Sequence, residues 1–334
     1  MRDSRTEIYI TIDTEFSIAG HFADPEKYQP IASPVVTCPV ENTEHGLGFL
    51  LNTFEQFDIA ATFFVETANA CFFGDQPMQE IVKRIKKAQQ DIQLHVHPVW
   101  LSFLNNADTQ YFPQNDNCAN RTFEELKNAF ELCIERFEKW VGQTPLAIRT
   151  GSLWTDLNVY KVMEALSIPM ASNIALGVFT PEEAKLQHYS GRKSIQNVLE
   201  LPVFTYQDFN FFGKKNLKSL QITSCSWPEM KYLLWQARRH SIESIVILTH
   251  PFEFIKKADF QYNKLTRNRV NQTRLKNLCQ FIQEHDQDFV SSDFSQCYQR
   301  WGHSELHQPI IEIPSYYSIC RRIHNKINDT IWSY

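Results

Sequence analysis

Residues 91–100, "DIQLHVHPVW", end an apolar run with two histidines one residue apart and then a proline. If the run is a β-strand, His95 and His97 point to the same side, because side chains alternate along a strand with period two. Two imidazoles on one face at the end of a strand can bind a metal ion, but two ordinary polar residues near a rim would show the same pattern. The segments around this one must decide between the two interpretations.

Strand-like and helix-like segments alternate along the whole chain. The strand-like runs are residues 7–13, 60–66, 91–97, 146–151, 170–176, 198–204 and 244–250, and the helical patterns are 45–59, 78–90, 122–141, 157–166, 230–240 and 273–285. Strands that alternate with helices predict an α/β fold with a parallel sheet or a barrel. Seven strands suit a barrel better than a short open sheet, so we predict a (β/α) barrel over residues 1–300 and a separate tail over 301–334.

Composition narrows the class of protein. With 43% hydrophobic residues, including 25 Phe, the 334-residue chain has ample material for a core, and its net charge of −5 does not favour nucleic acid as a partner. No apolar run approaches the ~20 residues of a transmembrane helix, and the start lacks the apolar stretch of a signal peptide. The eight cysteines form no C-x-x-C pair. We therefore predict a cytoplasmic protein with mostly buried free thiols.

Four of the predicted strands end in residues that can carry chemistry. They are Asp13 and Glu15, His95 and His97, Arg149, and His250. Each set alone has an ordinary explanation: a turn or helix cap for Asp-x-Glu, a satisfied core histidine, or a surface arginine. In a parallel barrel, however, functional side chains lie at the carboxyl ends of the strands. Their occurrence at four such ends favours a common site.

These residue types match a metal-dependent hydrolase. Two histidines and one carboxylate that leave a fourth position open are a zinc hydrolase arrangement. Such a site binds water and lowers its pKa to about 7, which provides a nucleophile at neutral pH. A second carboxylate can then act as a base and a separate histidine as an acid. Arg149 can hold the base carboxylate ionised and oriented.

Six segments in order resemble the motifs of the polysaccharide deacetylase family, metal-dependent N-deacetylases of acetamido sugars. They are "TIDTEF" (11–16), "DIAATFFVE" (58–66), "DIQLHVHPVW" (91–100), "AIRTGSLW" (147–154), "VLELPV" (198–203) and "SIVILTHP" (244–251). Each motif alone is unspecific, but the six follow the family order and span roughly residues 6–298. The resemblance implies a distorted (β/α) barrel of about seven parallel strands, which agrees with the strand count.

The resemblance also implies roles for individual residues. Asp13 matches the catalytic base, Arg149 the arginine that orients it, and His250 the acid that protonates the leaving amine. His95 and His97 match the metal histidines, and Glu15 is the expected third ligand of a divalent ion, most simply zinc. Trp100 and Trp154, which lie in the second and third of the family's catalytic motifs, are candidates for substrate contact.

Two departures place the chain in an outlying branch of the family. Thr14 stands where the commonest pattern has a second aspartate, and the histidines are spaced i, i+2 rather than i, i+4. We expect a hydrolase that removes an acetyl group from an N-acetylated sugar or glycoconjugate by attack of a metal-bound water. The alternatives are hydrolysis of another non-peptide C–N bond, in an amide or ureide, and an inactive glycan-binding barrel. Retention of Asp13, Arg149 and His250 favours an enzyme.

The tail and two long loops lie outside the six motifs, so their positions must be predicted from their own sequences. Ile319, Ile323, Ile327 and Ile331 recur every four residues and make one apolar stripe on a helix, with Arg321, Arg322 and Lys326 off that stripe. Such a helix can lie on a membrane surface near lipid-linked glycans. We favour instead a helix docked through its isoleucines on the barrel or on a partner subunit, because three basic residues contribute only ~1 kcal/mol each near an anionic surface. Loops 16–44 and 104–120 either wall the substrate cleft or lie on the surface.

Overall fold

The computed structural model describes residues 5–104, 114–209, 215–301 and 309–331. The strands are β1 (Thr6–Thr14), β2 (Pro39–Val40), β3 (Thr43–Glu44), β4 (Ala61–Glu66), β5 (Asp91–Val96), β6 (Ala147–Thr150), β7 (Met170–Ala171), β8 (Lys193–Ile195), β9 (Val198–Glu200), β10 (Thr205–Phe209), β11 (Lys215–Ser219), β12 (Ser244–Thr249), β13 (Ile255–Lys257), β14 (Leu265–Arg267) and β15 (Phe289–Ser291). The α-helices are α1 (Ser33–Thr37), α2 (Leu47–Phe57), α3 (Ala70–Phe73), α4 (Gln76–Lys87), α5 (Phe123–Val141), α6 (Leu157–Ala165), α7 (Trp227–Arg239), α8 (Arg269–Glu284), α9 (Phe294–Trp301) and α10 (Ser315–Ile331).

Seven parallel strands form one curled sheet in the order β12-β1-β4-β5-β6-β7-β9. β8 extends the sheet antiparallel to β9, and the short β15 lies parallel beside β1. The two edges meet through isolated bridges, Val203 to Val246 and Gln221 to Leu248, rather than through a continuous ladder. The predicted distorted (β/α) barrel of about seven parallel strands is confirmed, and this broken closure is its distortion.

The central strands are buried on both faces, which explains their unbroken apolar sequences. Every residue of β1 and of β12 is buried, as expected for parallel strands that are covered on both sides. The register pairs His95 of β5 with Glu66 of β4 and with Arg149 of β6. The polar residues predicted at the strand ends are therefore neighbours at one end of the barrel.

Loop 16–44 is only partly irregular. It contains a bridge between Ser17 and Ile31, helix α1 and the strand pair β2–β3. The rings of His21 and Phe22 pack on Phe103, in the 3₁₀ turn Pro98–Phe103 that follows the histidine strand. This part of the loop therefore lies at the same end of the barrel as the histidines, and its contact with a substrate stays a prediction. Of loop 104–120, residues 105–113 lie outside the described residues.

Helix α10 is docked on the barrel, but by the face opposite to the one we expected. Arg321 is 4% exposed and donates to Asp208 of β10 and to Glu229 of α7, with the Asp208 contact at 2.5 Å. Ile323 on the opposite face is 53% exposed. Docking of the isoleucines on the barrel is therefore wrong, because the buried carboxylates Asp208 and Glu229 require the charged Arg321 on the inward face. Docking of the isoleucines on a partner subunit stays a prediction. The side chain of Ile331 lies outside the described residues.

All eight cysteines are free thiols, and six of them are buried, which confirms that part of the sequence analysis. Cys71 is half-buried and Cys320 is exposed. Over the described ranges, no helix combines the length and the apolar character that crossing a bilayer requires.

Candidate metal centre and active site

Three side chains converge at the ends of β1 and β5. The carboxylate Oε2 of Glu15 lies 3.2 Å from Nε2 of His95 and 2.5 Å from Nε2 of His97, and the two Nε2 atoms are 2.9 Å apart. Within the described part of the chain, this is the one group of three or more His, Cys, Asp or Glu residues whose ligand atoms all lie within 4.8 Å of one another. The three predicted metal ligands are thus brought together.

The tautomers of both histidines suit metal binding. Nδ1 of His95 donates to the backbone carbonyl of Arg149 at 2.9 Å, and Nδ1 of His97 donates to the carboxylate of Asp116. A metal-bound histidine typically donates its other ring N–H to a carbonyl or carboxylate, which fixes the ring and raises its basicity. Two nitrogens and one carboxylate oxygen, held in this way, fit a divalent ion such as zinc.

Thr14 takes no part in this group. It is fully buried, and its hydroxyl donates to the carbonyl of Ile12 at 3.3 Å. Its neighbours Asp13 and Glu15 both reach the site, as expected for alternating side chains. A buried core residue therefore stands where the resemblance predicts a second aspartate, and Glu15 supplies the carboxylate instead.

A buried ion pair lies beside the three ligands. Nη1 of Arg149 donates to Oδ1 of Asp13 at 2.6 Å, and the arginine side chain is 0% exposed. The guanidinium also donates to the carbonyl and the hydroxyl of Ser172 and stacks over the ring of Phe64 at 4.2 Å. The other carboxylate oxygen of Asp13 lies 3.8 Å from Nε2 of His95. Asp13 is thus held through one oxygen and presents the other to the site.

His250 follows β12 and lies close to Asp13. Its Nε2 lies 3.9 Å from Oδ2 of Asp13, and its Nδ1 donates to Glu253 at 3.0 Å. The second Glu253 oxygen accepts from the hydroxyl of Thr249 at 2.7 Å. Burial lowers the pKa of His250, but the hydrogen bond and charge of Glu253, with Asp13 and Glu15, outweigh it and raise the pKa to about 9. His250 is therefore protonated at neutral pH.

Sequence reasoning missed Asp116, Glu253 and Gly151. Glu253 follows His250 by three residues, in the 3₁₀ turn Pro251–Phe254, so its spacing was a usable signal. Asp116 comes 19 positions after His97, in a segment without periodicity, and nothing local marks it. A Cβ on Gly151 would lie 2.5 Å from Nδ1 of His97, so only glycine lets the end of β6 pack against that imidazole.

Replacing Gly151 by alanine is expected to weaken metal binding by about tenfold or more, the range of changes next to a metal ligand. The added methyl group must displace the His97 ring, which lies 2.5 to 2.8 Å from it. Isothermal titration of the metal-free protein with zinc measures the effect. Gly74→Ala is the control. It adds a methyl group that meets no atom within 4 Å, although the φ of 72° at this position is strained for alanine. Equal zinc affinity in both variants would contradict the packing argument.

The two tryptophans differ in their surroundings. Trp100 is 1% exposed and packs among Phe73 and Phe103 at 5.5 and 5.9 Å between ring centroids. The prediction that Trp100 contacts a substrate is wrong, because an indole buried in an aromatic cluster offers no surface to a ligand. Trp154 is half-buried and stacks on Phe179 at 4.9 Å. Its contact with substrate stays a prediction.

Comparison with known proteins supports the fold. No family model matches the sequence, and no curated protein matches it. A solved structure from Mycobacterium smegmatis, assigned as a polysaccharide deacetylase, is 15% identical over 93% of this chain and 97% of its own, with a TM-score of 0.52. An allantoinase structure is 10% identical over 91% of this chain and 93% of its own, with a TM-score of 0.51. The chain therefore has the (β/α) barrel fold of these two proteins, as its resemblance to the polysaccharide deacetylases predicts.

Proposed function

We propose that this chain is a metal-dependent hydrolase that removes an acetyl group from an N-acetylated sugar or glycoconjugate. One observation carries the proposal: the Glu15–His95–His97 group has Asp13 next to it, and Oδ2 of Asp13 lies 3.8 Å from His95 and 3.9 Å from His250. Metal ligands, a carboxylate and a protonated histidine thus meet at one point. Metal-dependent amide hydrolysis uses all three, whereas binding a glycan needs neither a base nor an acid.

Glu15, His95 and His97 are the residues that would hold the metal. When bound, a divalent ion supplies Lewis acidity, which lowers the pKa of a water molecule to about 7 and polarises a carbonyl oxygen. Zinc is the ion we expect from two imidazoles and one carboxylate.

Asp13 is assigned as the base. Its Oδ2 accepts the proton of the attacking water, while Arg149 holds Oδ1 and keeps the carboxylate oriented. The arginine also donates twice to Ser172 and once to the hydroxyl of Thr11, so it cannot swing away without breaking three further hydrogen bonds. The carboxylate therefore has one free oxygen in a defined position, which is the geometry that proton transfer requires.

His250 is assigned as the acid. An amine leaves an acetyl group only after its nitrogen has been protonated, and Nε2 of His250 lies 3.9 Å from Oδ2 of Asp13, beside the metal ligands. Glu253 holds Nδ1, so Nε2 is the position that donates. The raised pKa keeps this proton available at neutral pH.

Two other functions remain as candidates. The allantoinase with the same fold suggests hydrolysis of a cyclic ureide or another amide, and Thr14 in place of the second aspartate suggests an inactive glycan-binding barrel. Zinc-loaded protein is to be assayed for acetate release from acetylated glycans and for ring opening of cyclic ureides. Acetate release supports the proposal. Ureide hydrolysis alone, or glycan binding without turnover, replaces it with the corresponding alternative.

Replacing Glu253 by glutamine is expected to move the alkaline limb of the kcat–pH profile to lower pH. The acid form of His250 is present below its pKa and is lost as the pH rises through it. Burial lowers that pKa, but the hydrogen bond and charge of Glu253, with the charges of Asp13 and Glu15, raise it to about 9, so loss of the Glu253 contribution lowers it. The limb is measured for both proteins loaded with the same metal. Glu182→Gln, at an exposed glutamate, is the control. An unshifted limb in Glu253→Gln would remove His250 from the role of acid.

A further inference from the structure

Helix α10 turns its apolar side toward solvent. Tyr316, Ile319, Ile323 and Ile327 are 55%, 41%, 53% and 45% exposed. Residues three or four apart lie on one face of a helix, so these side chains form a continuous row along α10. An exposed apolar row with polar residues on both sides marks a surface that another molecule covers.

The outward orientation of this row is imposed by the opposite face of the helix. Arg321 pairs with two buried carboxylates, Asp208 and Glu229. Farther along the helix, Arg274 of α8 donates to the side chain of Asn325 at 2.6 Å, and Lys256 of β13 donates to the backbone carbonyl of Asn328. Contacts to four elements, β10, α7, α8 and β13, therefore prevent α10 from rolling over to bury its isoleucines.

Basic side chains of α10 lie on one side of the row, and an arginine-lined cavity lies on the other. Arg322 and Lys326 precede Ile323 and Ile327 by one position, and His324 and Asn328 follow them, so at 100° per residue the two pairs lie on opposite sides.

His324 and Asn328 line a cavity of about 390 Å³ at the starts of α7 and α8. The cavity is also lined by Arg267, Arg269 and Arg274, and no carboxylate is among the described residues around it. Asp329 is the one acidic residue of α10.

We propose that this face of α10 and the arginine-lined cavity bind the surface of a membrane that contains anionic lipids. Tyr316 and the isoleucines would reach the boundary of the acyl chains, and the cavity would take a lipid phosphate. An interfacial helix has this combination of an apolar row and basic flanks. A second copy of the chain fits less well, because a two-fold interface brings each patch against itself and would set cations against cations.

Flotation of the full-length chain with vesicles tests the proposal. The chain is expected to bind vesicles of phosphatidylcholine with phosphatidylglycerol, not vesicles of phosphatidylcholine alone, and to bind less as salt is raised. Ile323→Ser combined with Ile327→Ser should lower binding about tenfold or more. Arg267→Ser and Lys326→Ser should each lower it about fivefold. The substituted side chains are all exposed, so the thermal midpoint of unfolding should stay unchanged in every variant.

Two controls separate this surface from general stickiness. Phe260→Ser removes a side chain that is 65% exposed elsewhere, and Lys87→Ser removes an exposed charge elsewhere. Both should bind like the parent. The proposal is overturned if the parent does not bind anionic vesicles, or if the isoleucine variant binds as well as the parent. It is also overturned if the parent is a dimer that the isoleucine substitutions dissociate, because a second copy would then cover the row. None of these outcomes depends on catalysis.

Discussion

Replacing His97 by alanine is expected to abolish stoichiometric metal in the purified protein. The Nε2 of His97 is one of three ligand atoms, and it lies 2.5 Å from Glu15 and 2.9 Å from His95. Loss of a partner behind a ligand costs roughly 10–100-fold in metal affinity, and loss of the ligand itself should cost more. Metal content is measured after dialysis against a chelator and reloading with zinc. Turnover should fall together with the amount of bound metal.

Two further variants define the size of this effect. Asp116→Asn keeps all three ligands but weakens the acceptor behind Nδ1 of His97, so it should lower affinity by roughly 10–100-fold. His240→Ala removes an exposed histidine away from the site and should leave the metal content unchanged. If His97→Ala still holds one zinc per chain after the chelator, the histidine strand is not the metal site.

Replacing Asp13 by asparagine is expected to lower turnover by roughly 10²–10⁴-fold, the usual contribution of a positioned acid or base. The amide has the same shape and keeps an oxygen for Arg149, so the fold and the metal should be retained. What is lost is the ability of Oδ2 to accept a proton. kcat on an acetylated glycan and zinc content are to be measured on the same preparation, with thermal unfolding to confirm the fold.

Glu15→Gln is the matched variant, because it makes the same chemical change two residues along the chain. Glu15 contacts both histidines at 3.2 and 2.5 Å, so this variant should lose metal and turnover together. If Asp13→Asn loses the metal and Glu15→Gln keeps it, the base and the ligand must be exchanged.

The strands and their polar ends could be predicted because their signals are local. The unbroken run of β12 indicates a strand buried on both faces, and period-two alternation alone places His95 and His97 on one side. The hairpins β10–β11 and β13–β14 were missed, since their short strands lie outside the barrel and show no clear apolar alternation. Of the two missed carboxylates, Asp116 and Glu253, only Glu253 left a trace in the sequence, through its spacing from His250.

By itself, the sequence determined the seven-stranded barrel, the six polar residues at its strand ends and an amphipathic helix in the tail, because periodicity and spacing are properties of neighbouring residues. Only the tertiary structure decided that Asp116 lies behind His97, that Gly151 leaves room for the imidazole and that Trp100 is buried. It also decided which face of α10 points inward. The isoleucine stripe predicted burial of the apolar face, but buried Asp208 and Glu229 required Arg321 as their partner. Such pairings join residues about a hundred positions apart, and no local pattern contains them.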